Sequence, residues 1–154
     1  MATRRMPAGP VIGWREWVTL PDLAVPRIKA KVDTGARSSS LHAFDLEWDE
    51  RGDETWVKFN VHPRQRKRRP AITAEARVVD RRVVRNPGGR TETRPVIVTA
   101  MAWGGHEWPV ELNLTSRDEM GFRMLLGRQA VRGRFVVDPG RSFLGGRPAK
   151  DPPP

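Results

Sequence analysis

The segment KVDTGARSSSLHA, residues 31–43, places one carboxylate, Asp33, on a turn of small residues. The preceding IKAKV is typical of a β-strand, so a strand would hold Asp33 in a fixed position. A general base must be held rigidly, partly buried and free of ion pairs that lower its pKa. The Thr34 hydroxyl would fix the turn, and Gly35 would allow a second backbone to approach. The triplet also fits an ordinary Asx or ST turn between two strands, and the residues alone leave both interpretations open.

The rest of the chain indicates an all-β domain. A chain of 154 residues is long enough for one core. The strand-like segments are 11–20, 27–32, 41–48, 55–61, 73–84, 94–103, 106–114 and 134–138. They are separated by PDL, RGD, NPGG, GG and DPG, which are typical of turns. Many short strands with close turn signals predict a barrel or a sandwich.

One segment, SRDEMGFRMLLGRQAVRG (116–133), has a helical pattern. It predicts one short helix over residues 128–131, with Ser116 or Asp118 as the N-cap. The ends of the chain are rich in Pro, Gly and Arg. We therefore predict flexible tails at 1–10 and 146–154 around a domain at 11–145.

The charge balance favours polyanionic partners. Lys and Arg number 28 against 18 Asp and Glu, which gives a net charge of +10 and a pI near 11.4. The basic run PRQRKRRP (63–70) is either a phosphate-binding loop for RNA or a solvated connection between strands. No stretch is apolar enough to cross a bilayer and no signal peptide is recognisable, so we expect a cytoplasmic protein without membrane contact.

The sequence gives no support for a metal or another cofactor. The absence of cysteine excludes disulfides, thiolate nucleophiles and thiolate-bound zinc. His42, His62 and His106 share no ligand spacing, and no HExxH helix occurs. No GxxxxGK[ST] loop is present to bind ATP. We therefore expect neither a metal nor a cofactor.

Two motifs carry a resemblance to a known family. KVDTGA (31–36) and MLLGR (124–128) resemble the two motifs of retropepsin-like aspartic peptidases. The wider segments IGWREWVTLPDL, ETRPVI and WPVELNLTSRDEMGFRMLLGRQAVRG are similar to bacterial proteins labelled ATP-dependent zinc proteases, over roughly residues 11–138. Some members of that family stand beside, or are fused to, ATP-grasp ligases that add glutamates to a ribosomal protein.

This resemblance implies a retropepsin-like closed β-barrel with a flap hairpin and one short C-terminal helix. It also implies a homodimer in which two Asp33 side chains form the active site of an endopeptidase, with Thr34 and Gly35 in the catalytic turn. Substrate contacts are expected at Ala36, Arg37, Gly88, Gly89 and Arg128, and support of the catalytic loop at Leu125, Leu126 and Gly127. The expected flap is RRVVRNPGGRTETRPVI (81–97), with the 63–70 loop as its competitor.

One position departs from the family pattern. Where retropepsins usually have an acid that pairs with the Arg of the second motif, this chain has Arg37, which would face Arg128 as a like charge. Either an internal acid (Glu92, Asp118 or Glu119) joins them, or the substrate supplies a carboxylate. The second option predicts acidic or glutamylated peptide substrates.

Three functions follow as alternatives. The first is a homodimeric aspartic endopeptidase. The second is a non-catalytic partner that regulates an ATP-grasp glutamate ligase or binds its product, a ribosomal protein. The third is a basic β-domain that binds RNA or ribosomes through the 63–70 loop.

Overall fold

The computed structural model describes residues 9–63, 71–85, 87–116 and 121–149. In chain order its strands are β1 (Val11–Leu20), β2 (Val25–Asp33), β3 (Ser39–His42), β4 (Phe44–Arg51), β5 (Glu54–Val61), β6 (Ile72–Arg77), β7 (Asp80–Arg85), β8 (Thr91–Trp103), β9 (His106–Thr115), β10 (Met124–Gly127) and β11 (Val136–Ser142). A 3-10 turn covers Pro21–Leu23, and the helix α1 spans Arg128–Val131.

Six strands close into a barrel. The large sheet has the order β11-β1-β2-β10-β3-β9-β8-β7, and a pairing of Thr19 in β1 with Ala102 in β8 joins β1 to β8. The closed part is therefore β1-β2-β10-β3-β9-β8, with β11 and β7 added as outer strands. This confirms the predicted all-β, retropepsin-like barrel, and α1 is the predicted short helix.

Two of the predicted strands were wrong because part of the chain forms a second, smaller sheet. Segments 41–48 and 73–84 were each predicted as one strand, but the chain leaves the barrel after β3, forms the sheet β4-β5-β6 and returns at β7. Ala43 at the first break donates its N–H to the carbonyl of Thr115 at 2.9 Å. At the second break, Val78 bonds to Thr55 of the small sheet and Val79 to Val96 of the barrel. The backbone thus changes partners while the sequence alternation continues.

The barrel interior follows the two-residue period of its strands. In β2, Ile28 and Ala30 are fully buried, and Val32 is nearly so. Because neighbouring strand residues point to opposite faces, Lys31 and Asp33 of β2 lie on the outer face of the barrel, where both are only partly covered. The buried side chains of β2 therefore fix the position of Asp33, whose own side chain faces outward.

One charged side chain lies inside the core. Glu16 is fully buried, and its carboxylate accepts hydrogen bonds from Gly13 N–H (2.7 Å) and the Trp103 indole (3.0 Å). It also accepts hydrogen bonds from the N–H groups of Leu144 (3.0 Å) and Gly145 (3.2 Å). A buried carboxylate needs such donors because leaving it unsatisfied is costly. Glu16 thereby joins β1, β8 and the segment after β11.

Two smaller predictions were wrong. The N-cap of α1 is Gly127, which has an extended backbone, whereas Ser116 bonds to Glu92 and Asp118 lies outside the described residues. The DPG sequence (138–140) was predicted as a turn but lies within β11, where Asp138 accepts the Gly140 N–H at 2.9 Å. In the part of the chain that the structure describes, no helix is long and apolar enough to cross a membrane.

Candidate active site

The Asp33 turn begins at the last residue of β2. Its carboxylate Oδ1 accepts the Gly35 N–H at 3.0 Å, and its carbonyl accepts the Ala36 N–H at 3.1 Å. Thr34 and Gly35 are exposed. The Thr34 hydroxyl makes no hydrogen bond within the described residues, so the prediction that it fixes the turn is wrong for the single chain. The Asp33 side chain and the backbone fix the turn instead.

The second motif lies directly against this turn. Strand β10 runs parallel to β2 and pairs Leu125 with Lys31, Leu126 with Val32 and Gly127 with Asp33. Leu126 is fully buried. The predicted supporting residues Leu125, Leu126 and Gly127 are thus the direct strand neighbours of the Asp33 turn.

Close backbone contacts join Gly127 and Arg128 to the residues after the turn. A Cβ atom added at Gly127 would lie 2.4 Å from the Ser38 carbonyl oxygen, so only glycine fits there. The Gly127 N–H donates to the Ser39 hydroxyl at 3.0 Å, and the Arg128 N–H donates to the Ala36 carbonyl at 2.8 Å. Two motifs far apart in sequence therefore form one rigid unit.

A cleft of about 330 Å³ opens beside the turn. Its lining is Lys31, Asp33, Ala36, Ser38, Ser40, His42, Arg82, Val84, Arg94, Asn113, Thr115, Phe122, Arg123, Met124 and Leu125. Among the described residues, Asp33 is the one carboxylate in this lining, whereas four side chains are Lys or Arg. The cleft thus combines a single described acid with four basic side chains, which we call the basic wall: Lys31, Arg82, Arg94 and Arg123.

The β7–β8 hairpin borders the cleft. Arg82 and Val84 of β7 and Arg94 of β8 belong to its lining. Gly88 and Gly89 are exposed in the turn at the tip of this hairpin and do not belong to that lining. Asn86 and residues 64–70 of the competing loop lie outside the described residues. The assignment of 81–97 as the flap therefore stays a prediction.

A polar network connects the hairpin to the floor of the cleft. Glu92 accepts a hydrogen bond from Arg94 Nε at 3.0 Å, and Arg94 Nη1 donates to Asn113 Oδ1 at 3.2 Å. Asn113 also accepts the Ser40 hydroxyl at 3.0 Å and donates its amide to the Ser39 carbonyl at 2.9 Å. Since Ser39 also binds Gly127, the network runs from β8 to the Asp33 turn.

Two opposing effects act on the pKa of Glu92. Its partial burial alone would raise the pKa, but hydrogen bonds from Arg94 and Ser116, together with the Arg94 charge, outweigh burial and hold the pKa below its ordinary value. Glu92 therefore forms an ion pair with Arg94 in the folded protein.

Glu92 consequently does not join Arg37 to Arg128, and this part of the prediction is wrong. The Arg128 guanidinium donates to the Gly35 carbonyl at 3.3 Å, and Arg37 is exposed. No acidic side chain of the described residues pairs with either arginine. Asp118 and Glu119, the other two candidates, lie outside the described residues.

Sequence reasoning missed several side chains of the cleft. His42 lies beside Arg123, with His42 Nδ1 and Arg123 Nη1 3.3 Å apart, although no ligand spacing marked His42 in the sequence. Arg94 and Asn113 were overlooked because they contact each other and the Ser39–Ser40 segment across strands that lie far apart in the sequence. The sequence did contain a signal for Asn113: in ELNLT (111–115) polar residues alternate with leucines, so the polar side chains share one face of the strand.

No group of three or more His, Cys, Asp or Glu that could hold a metal ion is found in the described ranges. The ring of His62 stacks on Phe44 with centroids 4.0 Å apart. His42 and His62 are 6.2 Å apart between centroids. These two histidines pack with an aromatic ring at the edge of the cleft.

A closed six-stranded barrel, a D-T-G turn held by a second Gly-Arg motif and an adjoining hairpin define a retropepsin-like fold. A family model described as "Retropepsin-like aspartic endopeptidase RimB" matches residues 11–148. The chain belongs to this RimB-like family. The zinc-protease label does not occur in that description.

The chain is also similar to part of longer proteins that carry a different name. A "Probable alpha-L-glutamate ligase" of Shewanella halifaxensis is 47% identical over 137 residues, which cover 89% of this chain and 30% of that protein. A Parasynechococcus marenigrum protein of the same name is 50% identical over 129 residues, covering 84% and 28%. The chain spans less than a third of the length of these curated relatives.

A solved structure has the same fold over nearly its whole length. The crystal structure of the Legionella pneumophila protein Lpg0085, of unknown function, matches with a TM-score of 0.72 and 28% identity. The match covers 90% of this chain and 99% of the Legionella chain.

Proposed function

We propose that this chain is an aspartic endopeptidase that acts as a homodimer, with one Asp33 from each copy. The observation that carries the proposal is the cleft with one described carboxylate, Asp33, on a turn braced by the Gly127 motif. Aspartic peptidase chemistry requires two carboxylates, and a two-fold axis beside the turn would supply the second. The exposed Thr34 is then available to contact the turn of the partner.

The two carboxylates would divide the acid and base roles. Two carboxylates close together cannot both ionise, as the known aspartic peptidase dyads illustrate, so they share one proton and a water. The ionised Asp33 removes a proton from the water, and the protonated Asp33 donates one to the oxygen of the scissile carbonyl. Gly35 and Ala36 would contact the extended peptide backbone. The β7–β8 hairpin would cover the bound peptide.

The basic wall supports an acidic or glutamylated peptide as the substrate. Lys31 and Arg123 line the cleft beside Asp33, and Arg37 is exposed next to the turn. Arg82 and Arg94 also line the cleft, where they are paired with Glu111 and Glu92. Guanidinium groups form strong, bidentate contacts with carboxylates. A peptide rich in Glu would therefore be attracted to the cleft.

The test is cleavage of a glutamate-rich peptide by the purified full chain. Asp33→Asn removes the charge with little change of shape and should abolish cleavage while thermal unfolding and dimerisation stay unchanged. Asp22→Asn, at an exposed position in the 3-10 turn, is the matched control and should cleave normally. A chelator, or the absence of ATP, should leave cleavage unchanged. Undiminished cleavage by Asp33→Asn would refute the proposal.

The named relatives favour one second function. Because this domain matches a part of proteins named glutamate ligases, the chain would act as a non-catalytic partner that binds a ligase or its acidic product. In that case Asp33→Asn would preserve the effect on ligase activity, and purified wild type would not cleave any glutamylated peptide. A titration of an ATP-grasp glutamate ligase with wild type and with Asp33→Asn separates the two functions.

A further inference from the structure

A row of rings and cations lies beside the cleft, on β1, β2 and the segment after β11. We call it the basic–aromatic strip, and its members are Trp14, Arg15, Trp17, Arg27, Lys29, Phe143 and Arg147. The ring centroids of Trp17 and Phe143 are 6.1 Å apart in a stacked arrangement. Arg15 lies over Trp14 and Phe143, at 4.7 and 4.9 Å from their centroids. Lys29 and Arg147 lie over Trp17 at 5.1 and 5.0 Å.

Strand geometry makes this arrangement rigid. The inward neighbours Val18 and Ile28 are fully buried, which turns Trp17, Arg27 and Lys29 to the outside. Trp17 is the direct cross-strand partner of Lys29. The members of the strip that lie on β1 and β2 are therefore held by the packed core.

The segment after β11 completes the strip. Phe143 donates its N–H to the Arg15 carbonyl at 3.0 Å, and Arg15 Nε donates to the Ser142 hydroxyl at 3.1 Å. Arg27 Nη1 contacts the Pro148 carbonyl at 3.5 Å. These contacts place Phe143 and Arg147 beside Trp17.

The strip borders the candidate active site, because Trp14 packs edge-on against Phe122 of the cleft lining and Arg15 is the cross-strand partner of Lys31. None of its members lines the cleft. Trp17 and Arg147 instead border another groove, together with the turn at Gly104 and Gly105. Seven of the 18 acidic residues lie on the small β4-β5-β6 sheet and its first turn: Asp45, Glu47, Asp49, Glu50, Asp53, Glu54 and Glu75. The strip itself contains four cationic residues and no acidic one, although Glu107 lines the groove that Trp17 and Arg147 border.

We propose that the basic–aromatic strip binds single-stranded RNA. Surfaces for single strands combine cations that follow the phosphates with rings on which bases stack. The backbone positions of successive outward residues on a β-strand, such as Arg27 and Lys29, are about 6.6 Å apart. This spacing is comparable to that of neighbouring phosphates in an extended single strand of nucleic acid. An acidic peptide would use the cations but not the half-buried rings. Since cells hold most of their unpaired bases in RNA, we take RNA as the partner.

The test is binding of a fluorescein-labelled oligouridylate to the full chain, followed by anisotropy over a range of salt concentrations. The double variant Arg27→Gln/Lys29→Gln should reduce the slope of log affinity against log salt by about 1.4, because each neutralised phosphate of a single strand contributes about 0.7. The control Lys58→Gln/Arg77→Gln removes the same charge from the small sheet and should keep the slope. Trp17→Leu should weaken binding roughly 5- to 150-fold because one base can no longer stack on the indole.

Each other outcome overturns the proposal. An equal reduction of the slope in both double variants would mean that binding follows bulk charge. An unchanged slope in the strip variant would place the RNA elsewhere, such as on residues 63–70. Displacement of the RNA by polyglutamate at equal affinity would assign the strip to acidic proteins. Tighter binding of the matching deoxyuridylate would exclude RNA as the preferred partner.

Two controls keep the result interpretable. If thermal melting shows that Trp17→Leu does not fold, the double variants decide alone. The Asp33→Asn chain should bind RNA as the wild type does, and Arg27→Gln/Lys29→Gln should cleave peptide normally. The strip and the peptidase proposal can therefore fail independently.

Discussion

At Gly127 the backbone of β10 approaches the residues after Asp33 so closely that no side chain fits between them. The nearest atoms to an added Cβ belong to the Ser38 and Ala36 carbonyl groups, which cannot rotate away as a flexible side chain would. A substitution at this position must therefore move the backbone of the Asp33 turn. The geometry of the candidate active site thus depends on a residue that carries no functional group.

Gly127→Ala should destabilise the fold by about 1–3 kcal/mol, the range for inserting an atom into a packed site. It should also reduce peptide cleavage because the Asp33 turn is displaced. Urea denaturation measures the first effect and steady-state kinetics the second. Gly140→Ala is the matched control, since its added Cβ would meet its nearest neighbour, Asp138 Oδ1, at an ordinary 3.5 Å. Equal stabilities of the two variants would contradict the close contact.

Arg37 should determine preference for acidic side chains in the substrate. It is exposed beside the Asp33 turn and no described acid pairs with it. A charge-assisted contact contributes roughly 1.5–3 kcal/mol, so Arg37→Ala should lower the preference by about one to two orders of magnitude. The measurement is the ratio of kcat/KM for Glu- and Gln-containing versions of one peptide, with Arg77→Ala as the control. An unchanged ratio would assign Arg37 a structural role.

At the scale of the element, the β7–β8 hairpin is anchored at its base by the Glu92–Arg94 pair. Arg94 is 9% exposed and lies between Glu92 and Asn113, so it connects the hairpin to β9. Removing one partner of such a pair leaves the other charge without its counter-ion. The hairpin base is therefore held firmly, while the turn at Gly88 and Gly89 is exposed to solvent.

This anchor should depend on pH. Glu92 has a lowered pKa in the folded state, so its contribution to stability is complete above the ordinary Glu pKa of about 4.3 and is lost as the pH falls through the lowered value. Glu92→Gln should therefore destabilise the protein most near neutral pH, and the difference from wild type should shrink in acid. Chemical denaturation between neutral and acidic pH tests this. A difference that grows in acid would contradict the assigned direction.

Local signals made part of this architecture predictable. The Asp33 turn and the Gly127–Arg128 motif are short segments, and both lie where the sequence predicts them. The break at Ala43 was not predictable because alternation continues through it and the change of partner depends on Thr115, far along the chain. Glu16 carried a usable signal, since it shares the inward period of Val18, but three of its four donors come from distant segments.

At the scale of the whole molecule, the proposed dimer depends on the single Asp33 of each chain. A mixed dimer of wild type and Asp33→Asn would hold only one ionisable carboxylate and should be inactive. If subunits exchange freely, an equal amount of the variant should lower the activity of a fixed amount of wild type to about half. An unchanged activity, in a mixture whose exchange is verified by mass, would contradict shared catalysis.

The buried Glu16 carboxylate has a consequence for the smallest unit that can fold. Two of its four donors, the N–H groups of Leu144 and Gly145, come after the last strand. A chain cut back to the end of β11 would keep every strand of the barrel yet leave the buried Glu16 side chain with half of its hydrogen-bond donors. The autonomous unit is thus longer than its sheet, and a truncation designed from strand boundaries alone would remove part of the core.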